Sequence, residues 1–89
     1  MIHPAIHSNG TSKDVLCRQL SDATYALRKA LIAMKNTQPN GRDYYTLGNY
    51  AINVAGLDHQ ARLKAVVGVL SEYEEMLDHL MNTTEKSRR

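Results

Sequence analysis

Two stretches of the chain carry apolar residues at alternating steps of four and three, with polar residues between them. In the first, the line runs Leu16, Leu20, Ala23, Leu27, Ala30, Met34. Steps of that size put side chains on one face of a helix, as a packing seam requires. Val15, Leu31 and Ile32 widen the stripe. In the second, Leu63, Val66, Leu70, Tyr73, Leu77 and Leu80 repeat the alternation. Arg62, Lys64, Glu72, Glu74, Glu75 and Asp78 lie between them and suit a solvated face. No segment sustains an alternation of period two, so no sheet is expected.

The flanking residues set the boundaries. Residues 1–10 read as a flexible leader, because Pro4, Ser8, Asn9 and Gly10 oppose regular structure. Thr11 and Ser12 can cap a helix, and Asp14 then lies in the first turn, where the helix dipole favours a negative charge. The first helix is expected over about 12–37. Pro39 and the pair Asn40-Gly41 end it. A connector of about 38–49 follows. The second helix is expected over about 50–82, with Asn49 as its capping residue. Gly56 leaves two readings open: one continuous helix, which the seam traced back through His59 and Ile52 favours, or a short helix at 50–55 followed by a long one from Leu57. Residues 83–89 read as a frayed tail. Residues 11–82 thus form one all-α domain, an antiparallel helical hairpin.

A hairpin is a single layer, and a stable domain normally packs two. Both stripes are wider than one partner helix covers. Self-association into a four-helix bundle is therefore expected, with Leu63, Val66, Leu70, Tyr73 and Leu77 as the oligomer seam. A hairpin docked on another protein is the rival.

Composition narrows the classes. Eighty-nine residues suffice for one small domain, and 43% hydrophobic content is globular. With no Phe and no Trp, the core must be aliphatic, with Tyr at its edges. A net charge of +2 with scattered basic residues does not favour a nucleic-acid interface, although a dimer can align such residues in a stripe. The one cysteine, Cys17, excludes an internal disulfide and a cysteine-rich zinc site. The first residues lack the basic and apolar blocks of a secretory signal, and charge interrupts every apolar run, so a cytoplasmic location is expected.

Candidate chemistry gathers in the connector. Three of the five tyrosines, Tyr44, Tyr45 and Tyr50, lie there beside Arg42 and Asp43. Arg42 supplies a planar fork of donors for phosphate or carboxylate. The phenol rings offer faces on which a base can stack. Gly41 permits close approach of the backbone, and free amides at the second helix's start favour an anion. A phosphate-bearing ligand or an acidic protein surface would suit this set. In the plainer reading, Tyr44 and Tyr45 cap the bundle, and Arg42 pairs with Asp43 or a helix end.

His59 lies on the seam, where a histidine is usually part of the core. His3 and His7 are four apart but sit in the leader. The acidic residues near His79 lack the Glu-x-x-His spacing of a di-metal bundle site. No residue pattern offers a nucleophile beside a base. No enzyme activity, cofactor or metal is expected.

The stretch from Ala26 to Leu80 joins an alanine- and leucine-rich helix, the run Gly41-Arg42-Asp43-Tyr44-Tyr45, and a long helix with His59-Gln60-Ala61-Arg62-Leu63. Over residues 26–80 it resembles short uncharacterised helical proteins encoded by phages and prophages. The resemblance carries no catalytic residue. It implies a context, the host cell cytoplasm. It also implies a role, inhibition of host defence by occupying a host protein or sequestering a nucleotide-like ligand. The expected contact residues are Arg42, Asp43, Tyr44 and Tyr45, with His59 and Arg62 nearby. A virion assembly or adaptor protein acting through its seams and a nucleic-acid-binding regulator are the other two readings.

Overall fold

The computed structural model describes residues 1–83, and among them there is helix and no strand. Helix α1 spans Lys13–Lys35 and α2 spans Ala51–Met81. Two short 3-10 turns, Gly41–Asp43 and Tyr45–Leu47, lie between them. The helices pack along each other as an antiparallel hairpin. The chain is long and thin, with extents of 68 × 20 × 18 Å.

The start of α1 is as its sequence implies. Ser12 is extended at the N-cap, and its hydroxyl accepts from the Val15 amide at 3.3 Å. Asp14 occupies the first turn and Lys35 the last, both favourable to the helix dipole. The helix ends at Asn36, and Thr37 donates its hydroxyl to the Met34 carbonyl at 2.7 Å. That bond satisfies one of the carbonyls a helix end leaves open.

The start of α2 departs from expectation. Asn49 does not cap it. Tyr50 stands at the N-cap with no side-chain hydrogen bond. The cause is the residue before Asn49: Gly48 has φ 113 and ψ 168, a region essentially reserved for glycine. The chain turns there, and the N-cap falls one residue past Asn49, with the helix beginning at Ala51. Gly56 does not break α2, which runs unbroken from Ala51 to Met81. A side chain added at Gly56 would meet nothing within 4 Å, so no close packing demands glycine there.

The core is narrow. Leu31, Leu70 and Leu80 are its buried apolar residues, with Leu80 fully buried. Thr24 and His59 are buried with them. Thr24 is satisfied, since its hydroxyl donates to the Ser21 carbonyl at 2.8 Å. Leu70 lies inside the hairpin, and Leu63, Val66, Tyr73 and Leu77 are half-buried beside it. The seam of α2 is thus spent largely on α1.

The leader has no helix or strand, and part of it packs on the hairpin. His3, Pro4 and Ile6 are half-buried. The His3 ring stacks on His79 with centroids 4.3 Å apart and planes 12° apart. His3 Nε2 also lies 3.7 Å from the Glu75 carboxylate. At the same end, the Lys13 ammonium donates to the Thr83 carbonyl at 2.7 Å and ties the start of α1 to the end of α2. The expected tail falls mostly on residues 84–89, outside those described.

Candidate partner-binding surface at the connector end

Helix α2 has 31 residues against 23 in α1. The difference, eight residues, is about 12 Å of helix at 1.5 Å per residue. The first turns of α2 therefore extend past the end of α1, and the connector folds against them. Asn40 organises the turn: its side-chain oxygen accepts from the Arg42 amide at 3.0 Å, and its carbonyl accepts from the Asp43 amide at 3.0 Å. Tyr44 then accepts from Leu47, and Gly48 from Ala51. These bonds are all local. They satisfy the backbone but cover few side chains.

The outcome is an exposed apolar end. Tyr45 is 76% exposed, Leu47 70%, Tyr50 78% and Leu57 72%. Val54 is exposed as well. Among them lies an open groove of about 470 Å³, lined by Tyr44, Leu47, Gly48, Asn49, Tyr50, Ala51, Val54, Ala55 and Asp58. Its one charged lining residue is Asp58. An exposed apolar surface on a small protein is a candidate docking surface.

The sequence-expected contact residues separate into three groups. Tyr44 lines the groove and is half-buried, and Tyr45 is exposed close by. Arg42 and Asp43 are exposed on the first 3-10 turn and do not line the groove. Arg42 forms no ion pair among the described residues, neither with Asp43 nor with a helix end. A side chain added at Gly41 would meet nothing within 4 Å. His59 is 5% exposed and belongs to the hairpin core, not to the connector surface. Arg62, one turn further along α2, is exposed.

Leu47, Val54 and Leu57 were not singled out as contact residues. One signal was present: Val54 and Leu57 are large apolar residues that fall off the seam of α2.

Large apolar side chains are exposed elsewhere too, among them Ile2, Tyr25, Ile32, Val67, Val69 and Met81. A shallow depression of about 660 Å³ between the helices is lined by residues including Tyr25, Arg28, Glu74 and Asp78, and the Arg28–Glu74 ion pair bridges it. No cluster of three or more potential metal ligands occurs among the described residues. No helix is long and apolar enough to cross a membrane. Comparison with protein-family models, curated proteins and solved structures finds no match.

Proposed function

We propose that this chain is a non-enzymatic binding protein that occupies the surface of a partner protein with its connector end. The observation behind this reading is the exposed group Tyr45, Leu47, Tyr50 and Leu57 around the groove. Tyrosines are enriched in interface hot spots, and here Tyr45 and Tyr50 stand exposed beside Leu47 and Leu57. The groove favours an apolar protein segment over a phosphate-bearing ligand. Its one charge is the carboxylate of Asp58, which repels an anion, and no basic residue lines it. The resemblance to phage-encoded proteins fits a host protein as the partner and inhibition of a host defence as the consequence.

The test compares two double substitutions in a pull-down against the host proteome, with chain mass checked in parallel. Leu47→Ser with Tyr50→Ser is expected to lose a protein that the wild type retains, at unchanged helicity and assembly mass. Arg42→Ala with Tyr45→Ala separates the ligand readings. If only this second pair abolishes binding, the contact runs through the first 3-10 turn and an anionic partner replaces the apolar one. Retention of the partner by both variants sinks the connector-end reading.

A further inference from the structure

The groove at the connector end is lined mostly by apolar and aromatic residues and carries one charge. Asp58 lines it, is exposed, and forms no ion pair among the described residues. Arg62 follows one turn later on α2 and does not pair with it. The carboxylate also has a fixed place. Asp58 lies four residues beyond Val54 and eight beyond Tyr50, about 6 Å and about 12 Å along the helix axis at 1.5 Å per residue. The groove is therefore polarised: Tyr44, Leu47 and Tyr50 line the connector side, Val54 the middle, and Asp58 the side toward the hairpin.

We infer that this groove takes a protein segment in which an apolar side chain and a Lys or Arg stand about 6 Å apart, the first seated beside Val54 and the second on the Asp58 carboxylate. The inference rests on the docking proposed for the connector end and adds the chemistry of what docks. Charge complementarity carries it. A segment that covered the groove without a cation would take a lone carboxylate out of water, and an uncompensated charge at an interface is strongly unfavourable. One with an acid at that place would add like-charge repulsion. The rings of Tyr44 and Tyr50 favour a cation as well, because a phenol presents a negative face. The start of α2 works the other way: Tyr50 brings no side-chain cap, and the free amides there carry about half a positive charge. That is less than the full charge of Asp58, and carbonyls of the segment can accept from those amides. The spacing fits four residues of helix or two of extended chain, which advance about 6 Å and about 6.6 Å.

The test is selection of random displayed peptides on the full chain and on three variants, with circular dichroism run on each. The wild type is expected to enrich peptides that combine a large apolar residue with Lys or Arg two or four positions away. Asp58→Lys is expected to enrich Asp or Glu at that position and to bind the wild-type peptides more than about tenfold more weakly. Asp58→Asn, which keeps the shape of the side chain, is expected to weaken them about fivefold. Leu47→Ser with Tyr50→Ser is expected to retain no peptide. Apolar peptides without a basic residue on the wild type, or the same peptides on Asp58→Lys, overturn the inference and leave the docking surface standing. No enrichment on the wild type, the result that a second copy seated in the groove would give, removes both. So do peptides that survive Leu47→Ser with Tyr50→Ser.

Discussion

The two ends of the hairpin are finished by different means. Where the chain's beginning meets the end of α2, contacts come from residues far apart in sequence: Lys13 reaches Thr83, and His3 lies flat on His79. Leu80 is fully buried there. At the connector end every hydrogen bond is made within a few residues, and Tyr45, Leu47, Tyr50 and Leu57 stay in water. Local turns close the backbone, but covering side chains takes a second segment of chain. One end has that segment in the leader. At the other end none of the described residues supplies one, and the apolar side chains there stay exposed.

Substitutions probe this contrast directly. The largest effect on stability is expected at the covered end. Leu80→Ala should cost about 2–5 kcal/mol, because it removes a buried side chain and leaves a cavity. Leu47→Ser at the open end should stay within about 0.5 kcal/mol. Denaturant unfolding followed by circular dichroism measures both, and equal losses would erase the distinction between the ends. Gly48→Val comes next, at about 1–3 kcal/mol, since it forces a β-branched residue into a glycine region. Its thermal midpoint should drop while α1 keeps its helicity. His3→Ala should cost about 0.5–1.5 kcal/mol, the worth of one aromatic stack. No change in its unfolding midpoint would mean that the leader is a bystander. Arg28→Ala should change stability by less than about 1 kcal/mol, because the pair it breaks is mostly exposed.

The parts legible in the sequence were those with local causes. Ser12 caps α1 because its hydroxyl lies three residues from a free amide, and the stripes of α1 and α2 follow from side-chain spacing alone. The hairpin and the unbroken seam through Gly56 came from the same periodicity. The docking of His3 on His79 had no local signal, because the two residues meet only after the hairpin brings opposite ends of the chain together. Asn49 looked like a cap by residue type, yet the turn at Gly48 moved the helix start past it. In the candidate surface, Tyr44 and Tyr45 were legible as clustered aromatics. His59 was legible as a seam residue of the core, and the structure buries it there rather than beside the connector. Val54 and Leu57 went unread because exposure depends on where α1 stops.

The unequal lengths of the helices bear on how the protein breathes. The first two turns of α2 have no helix beside them, so their amides can open to solvent without the hairpin coming apart. Hydrogen exchange at Val54 and Leu57 should then be governed by local opening, and at Leu70 by unfolding of the whole molecule. A partner seated on those first turns would hold them closed, and the slowing of exchange there would map its footprint residue by residue.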